Sequence, residues 1–141
     1  MSEALTSDDW KTVLSQSRHL AGSLVPAQIP RGPGVYAWFR EGGCVYLGKA
    51  SNLRSRLSTH LATSLDLSRS TLRSWVAVRE LGLERAYTRR RPSAMTPDQV
   101  RVVTAWIHSC ELAWVETESA ASAAALESAL LNHWRPPINA K

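Results

Sequence analysis

The sequence predicts an α+β fold: a small three-stranded antiparallel sheet flanked by helices, with a helical insertion between the first core helix and the third strand. Three observations predict it. Two runs rich in aromatic and β-branched residues, 34–40 and 43–48, are joined by Glu41-Gly42-Gly43, which supplies the positive φ of a hairpin turn. Apolar residues recur at helical spacing through most of the remaining chain. A further short apolar run, 112–115, follows only after a long helical stretch. The 141 residues are expected to form a single domain, large enough to bury a core without metal or disulfide staples. Residues 1–32 read as an N-terminal helical extension and residues 66–110 as the insertion.

Residues 7–16 read as a short amphipathic helix: Ser7 caps it, Asp8 and Asp9 suit the positive end of its dipole, and Trp10, Val13 and Leu14 share a face. Pro26, Pro30 and Pro33 keep the next stretch extended and unhelical. In the hairpin, a three-residue loop at 40–42 sets Tyr36 opposite Tyr46; a two-residue loop shifts the register by one and puts the rings on opposite faces. The three-residue loop is expected, because the chemistry developed below needs both rings on one side. Asn52 or Ser51 caps a helix running to about residue 65, with Leu53, Leu57 and Leu61 as its buried stripe. Residues 70–81 form a second helix ended by Gly82. Residues 83–95 are basic and irregular. Thr96 and Pro97 start a helix that runs to His108. After the third strand, Ser119 caps an alanine-rich helix over 120–134, stopped by Pro136 and Pro137 before an extended Ile138-Asn139 tail. The tryptophans are expected in the core, with Trp134 packing the last helix on the sheet, and His19, His108 and His133 are read as structural or surface residues.

Hydrophobic residues are 44% and charged residues 21% of the chain, ordinary for a soluble globular protein. The net charge of +5, with arginine well ahead of lysine, favours a polyanionic partner. Arginine suits phosphate because its planar fork matches two oxygens. Cys44 and Cys110 sit in apolar runs without a C-x-x-C pair, which argues for buried thiols in a reducing cytoplasm rather than a zinc site or disulfide framework. No apolar run approaches the ~18 residues of a membrane span, and no basic segment leads into an apolar one at the start. A cytoplasmic protein with no membrane partner is expected.

The chemistry-bearing residues form one pattern. Phosphodiester hydrolysis needs an activated water, neutralisation of charge on the phosphorane-like transition state, and help for the leaving oxygen. Tyr36 and Tyr46 offer two hydroxyls, and Lys49 stands where it would depress a tyrosine pKa. The helix start at 51–53 would present free backbone N–H groups to a phosphate. Arg56 and His60 lie on one helix stripe, four residues apart. Glu127, a lone carboxylate in an alanine–leucine helix, is a candidate metal ligand. Taken singly, each tyrosine reads as a sheet aromatic, Arg56 as a solvated helix residue and Glu127 as a surface carboxylate. It is their joint occurrence in order that carries the inference.

That order resembles the GIY-YIG endonuclease family. The namesake triplets look like Gly34-Val35-Tyr36 and Tyr46-Leu47-Gly48, with Val and Leu for Ile as apolar swaps. The stretch from Tyr46 through Lys49 and Asn52 to Arg56 is similar to the incision domain of the family's bacterial excision-repair members. Leu126-Glu127, Leu130-Leu131 and the Pro136-Pro137-Ile138-Asn139 ending are similar to the family's metal-binding glutamate and terminal asparagine. The resemblance covers about residues 33–61 and 111–139. It implies a GIY-YIG nuclease-like fold and a divalent-metal-dependent endonuclease that cuts DNA, with one Mg²⁺ or Mn²⁺ held by Glu127. Tyr36 would be the base or its activator, tuned by His60 and Lys49. Tyr46 would position water or phosphate, Arg56 stabilise developing charge, and Asn139 hold the site together. Which tyrosine takes the proton is left open, as are strandedness, DNA versus RNA, and oligomeric state. Lys49, Asn52 and Arg54 are expected to meet nucleic acid. Arg85, Arg89, Arg90 and Arg91 read equally as a phosphate-contact loop or a solvated basic loop. The rival readings are a catalytically inactive nucleic-acid-binding module of the same fold, and a protein-interaction domain.

Overall fold

A computed structural model of the chain describes residues 7–139. Helix α1 (Asp8–Ser15) leads through strand β1 (His19–Leu20) to the hairpin β2 (Gly34–Arg40) and β3 (Gly43–Ala50). Helices α2 (Leu53–Leu61), α3 (Thr71–Leu81), α4 (Arg85–Thr88) and α5 (Pro97–His108) follow, then β4 (Glu111–Glu116) and α6 (Ala120–His133). The sheet is antiparallel, in the order β1-β4-β2-β3. It has four strands where three were expected. The extra one, β1, pairs only His19 and Leu20 with Leu112 and Glu111, too short a run to show as alternation in sequence.

Alternation along the strands divides the molecule into two layers. Val35, Ala37 and Phe39 of β2 face α1 and α6, in a cluster with Trp10, Val13, Leu47, Ala113 and Leu130. Trp10 of α1 donates from Nε1 to the Leu130 carbonyl at 2.9 Å and meets Trp134 edge to face at 5.2 Å. Tyr36 and Trp38 face the opposite way, into the larger cluster built by α2, α3 and α5 through Leu53, Leu57, Leu72, Val76, Val103 and Ile107. Every buried polar side chain among the described residues lies on α2 or in the insertion that follows it: His60, Ser70, Arg73, Ser74 and Thr88.

The hairpin register differs from expectation in a way that matters. The turn has two residues, Glu41 and Gly42, both at positive φ, and Arg40 pairs with Gly43. Continued unbroken, that register would put the two tyrosines on opposite faces. A bulge intervenes: Phe39 pairs with Cys44, but Trp38 pairs with Tyr46, so Val45 is the extra residue. Tyr36 therefore lies opposite Gly48, not Tyr46, yet both tyrosines share a face.

Three helix boundaries repay comparison. Helix α2 stops at Leu61, short of residue 65, because His108 Nε2 donates to the Leu61 carbonyl at 2.9 Å and the chain then turns over Arg73, whose guanidinium donates to the Asp66 carbonyl at 3.1 Å. The proline-rich stretch is not fully extended but makes single turns at Ala21–Ser23 and Pro26–Gln28, the latter opened by a proline whose missing N–H costs nothing there. The basic stretch contains the one-turn helix α4. The caps at Ser7, Thr96 and Ser119 stand as read from sequence, Asn52 rather than Ser51 caps α2, Ser70 caps α3 instead of opening it, and Gly82 ends α3 in the left-handed region. Cys44 and Cys110 are free and buried.

Candidate active site

Tyr36 projects from the interior strand β2 and Tyr46 from the edge strand β3, with ring centroids 6.3 Å apart. A Cβ on Gly48 would land on the Tyr36 hydroxyl and ring, so the glycine of the second triplet makes room for the tyrosine of the first. A Cβ on Gly34 would run into the Val115 carbonyl and the Leu53 side chain, which ties the first triplet to β4 and α2.

His60 of α2 is wholly buried between two partners: Nε2 lies 2.7 Å from Tyr36 Oη, and Nδ1 lies 2.6 Å from Ser70 Oγ. Ser70 caps α3 by accepting from the Arg73 N–H at 3.0 Å. Its own buried proton needs an acceptor, and among the described residues His60 Nδ1 is the one in place. The satisfied network thus runs from Ser70 O–H to Nδ1, with Nε2–H donating to the Tyr36 oxygen. Burial, reinforced by the Arg56 and Arg73 guanidiniums, lowers the His60 pKa to about 3, so the ring is neutral. Burial also raises both phenols above their ordinary value; the Arg56 charge opposes it at each, and the Glu127 carboxylate adds to it at each. Arg56 and Glu127 therefore lie within electrostatic reach of the same two hydroxyls.

Glu127 and Asn139 act at the free edge of β3. Residues two apart on a strand present their N–H groups to the same side. Leu47 turns its N–H and C=O outward, to Asn139 Oδ1 at 2.8 Å and from Asn139 Nδ2 at 2.9 Å, so the asparagine mimics a strand. The Val45 carbonyl accepts from the Ile138 N–H at 2.9 Å, completing the docked tail. The Lys49 N–H, on the same side, faces Glu127. Burial raises the half-buried Glu127 above the usual carboxylate range, while the Lys49 ammonium and N–H pull it back. Lys49, Asn52, Ser55, Arg56 and Thr59 line one cleft of about 320 Å³.

Several expectations change. Lys49 is exposed and acts on Glu127; Arg56, not Lys49, is the first cation to pull the phenols down. The start of α2 is not free for phosphate: the Leu53 and Arg54 N–H groups donate to the Gly32 and Pro30 carbonyls, and the Ser55 N–H to Asn52 Oδ1. Asn52 is thereby a helix cap. Arg54 Nε is tied to the Ile29 carbonyl at 2.8 Å. The arginines of residues 85–91 are not one loop surface either. Arg91 Nε bonds Ser68 Oγ at 2.6 Å, Arg90 lies over the Tyr87 ring, Arg89 is exposed, and Arg85 turns inward. Ser70 is the contact that sequence reasoning missed. Its place at the start of a helix was visible, but its bond to His60 depends on how α3 packs on α2.

The donor set suits a hard cation. Glu127 has no ion-pair partner within bonding distance among the described residues, and no group of three His, Cys, Asp or Glu side chains gathers anywhere among them. Zn²⁺ needs three or four such protein ligands. Mg²⁺ keeps several waters and takes one or two carboxylates beside substrate phosphate. No helix among the described residues is long and apolar enough to cross a membrane.

Fold and site define a class: an α+β catalytic domain in which paired tyrosines, a helix-borne arginine and a single carboxylate meet at a strand edge. Residues 36–141 match the family model of the GIY-YIG catalytic domain, and the chain belongs to that family of endonuclease domains. It is 48% identical over 48 residues to the UvrABC system protein C of Salinispora arenicola, and 46% identical over 48 residues to that of Salinispora tropica. Each match covers 33% of this chain and only 7% of the relative's length. Among solved structures, the magnesium-bound GIY-YIG N-terminal endonuclease domain of UvrC from Thermotoga maritima is 20% identical with a TM-score of 0.45, over 94% of this chain and 97% of that one. A point mutant of the same domain bound to its catalytic divalent cation gives 20% identity and a TM-score of 0.44, over 96% of this chain and 98% of that one.

Proposed function

We propose that the chain is a divalent-metal-dependent endonuclease that hydrolyses DNA phosphodiester bonds by a single-metal mechanism. The observation that supports this best is the shared electrostatic reach: Arg56 and Glu127, far apart in sequence, both act on Tyr36 and Tyr46. Tyr36 is the proton acceptor in this reading. Burial keeps it a phenol at rest, so it first releases its own proton to solvent; the His60 Nε2–H that its oxygen receives and the Arg56 charge beside it stabilise the phenolate, which then takes the proton of the attacking water. Ser70 fixes the His60 tautomer that makes this possible. Tyr46, less deeply buried at 8% exposure, orients the water or a phosphate oxygen. Arg56 neutralises charge on the phosphorane-like transition state, and Lys49 and Arg56 seat the phosphate in their shared cleft. Mg²⁺ or Mn²⁺ bound at Glu127 would supply Lewis-acid stabilisation of the developing charge and the leaving oxygen. Asn139 holds β3, and with it Tyr46, in place.

The rival is a nucleic-acid-binding module without catalysis. Nicking of supercoiled plasmid by the purified chain, with Mg²⁺ and with chelator, separates the two. Metal-dependent nicking that Glu127→Ala abolishes is the expected result. Binding without any nicking at millimolar Mg²⁺ or Mn²⁺ would establish the rival.

A further inference from the structure

The insertion reaches the site twice. Ser70 orients His60, as described. The second approach is Arg85, on α4, which is held through its inner nitrogen by two buried hydroxyls. Its Nε–H donates to Ser74 Oγ at 2.8 Å. Ser74 Oγ lies 2.6 Å from Thr88 Oγ1, and Thr88 Oγ1 donates to the Arg85 carbonyl at 2.7 Å. These bonds close a ring that begins at the Arg85 side chain and ends at its own backbone. Within it each hydroxyl donates once, and both are buried, Ser74 at 0% and Thr88 at 1% exposure. Beneath the ring the Arg85 guanidinium lies 4.1 Å over the face of Trp75.

Burying two hydroxyls in a core is unfavourable unless they are fully bonded. Here they are, and what they fix is one guanidinium plane. The bonded nitrogen is the inner Nε. The two outer nitrogens, which form the fork that grips phosphate, have no partner among the described residues. Arg73 is the contrast, since its outer nitrogens donate to the carbonyls and hydroxyl of Ser64 and Asp66 and serve the loop. Trp75, on which Arg85 stacks, packs against the apolar cluster that contains Tyr36 and Tyr46. The Arg85 charge is also felt at Tyr46, whose phenol it pulls down.

We propose that Arg85 is a second phosphate-binding guanidinium of the active site, supplied by the insertion and seating a backbone phosphate next to the one that is cut. This rests on the nuclease reading above. It separates Arg85 from its exposed neighbours Arg89 and Arg90, and it makes the insertion part of the site rather than an appendage. A guanidinium fixed by its ring of hydroxyls and its Trp75 stack, with its fork unbonded, contributes to positioning and charge stabilisation and not to attraction alone.

Two measurements test it. In single-turnover and steady-state cleavage of a DNA oligonucleotide, Arg85→Ala is expected to lower kcat about 100-fold. Arg85→Lys, which keeps the charge but loses the fork, should recover only part of that. Arg101→Ala, which removes the same charge from an exposed site paired with Asp98, should stay within about twofold of the parent chain. Thermal unfolding of each variant accounts for any loss of fold. The second measurement needs no cleavage. NMR of arginine Nε–H groups follows a short DNA oligonucleotide titrated into the metal-free Glu127→Ala chain, in which Arg85 and its ring are intact. The Arg85 signal is expected to shift while that of Arg73 stays put. An Arg85 signal that never moves overturns the proposal, as does parental kcat in folded Arg85→Ala. If the parent chain cuts nothing, the nuclease reading fails, and the titration alone decides whether Arg85 meets phosphate.

Discussion

The two faces of the sheet are built on opposite principles. The face toward α1 and α6 is closed by aliphatic and aromatic side chains, with the Trp10 indole on the Leu130 carbonyl and the Cys44 thiol on the Tyr46 carbonyl as buried side-chain polar contacts among the described residues. The face toward α2 and α3 carries a chain of polar groups through its core: Tyr36, His60, Ser70 and the Arg73 N–H in one line, and Arg85, Ser74 and Thr88 in another. An all-apolar face needs volume and pattern only, so many sequences satisfy it. A buried polar network must satisfy every member, and one missing partner leaves a group desolvated and unbonded. The contrast teaches where stability and chemistry have been put. The dry face holds the sheet, and the wet face aims it.

This division is open to attack, starting with the largest effect. Glu127→Ala should reduce plasmid nicking by about 10⁴-fold in the nuclease reading, because the cation supplies several kcal/mol of transition-state stabilisation. Oligonucleotide affinity and thermal midpoint should hardly change, since Glu127 has no ion-pair partner to lose among the described residues. Arg56→Ala should reduce the rate about 10³-fold at saturating DNA, and a variant that merely raised KM would put Arg56 in binding rather than chemistry. Leu130→Ala probes the other face. Leu130 is fully buried, so chemical denaturation should show a loss of about 3 kcal/mol, while the cleavage rate per folded molecule stays at the parental level. A tenfold drop in that rate would mean the faces are not separable.

The smallest effect is set by acid. His60 resists protonation until about pH 3 when folded, but takes a proton near 6.5 when unfolded. The unfolded chain therefore binds more protons between those values, so the His60 contribution is intact above pH 6.5 and is lost as pH falls below it. The slope is at most about 1.4 kcal/mol per pH unit. His60→Gln should flatten the denaturation midpoint against pH across that window. An unchanged slope would show that His60 is not buried neutral beside Tyr36, Arg56 and Arg73.

Much of the architecture was legible in the chain because it is local. Caps at Ser7, Asn52, Thr96 and Ser119, the proline starting α5 and the glycine ending α3 each act within one helical turn. Tyr36, Tyr46, Arg56, His60, Glu127 and Asn139 could be named because their types and order carry the family pattern, and the cluster they form follows from the hairpin, α2 and α6 packing as that pattern implies. Other features were out of reach. A two-residue turn and a bulge at Val45 together give the same facing as the loop that was expected, and parity alone cannot tell two slips from none. The free N–H groups of α2 looked available until residues 30–32 came back to bond them.

By itself the sequence determined most of the elements and the candidate site residues, since backbone propensity, capping and hydrophobic period are set by neighbours along the chain and the family pattern by residue type and order. Only the tertiary structure decided which nitrogen of His60 meets Tyr36, that Ser70 stands behind it, and that Arg85 turns inward on a ring of hydroxyls while Arg89 faces water. The physical reason is range. A hydrogen bond is fixed within a few tenths of an ångström by two groups that the fold, and not the chain, brings together.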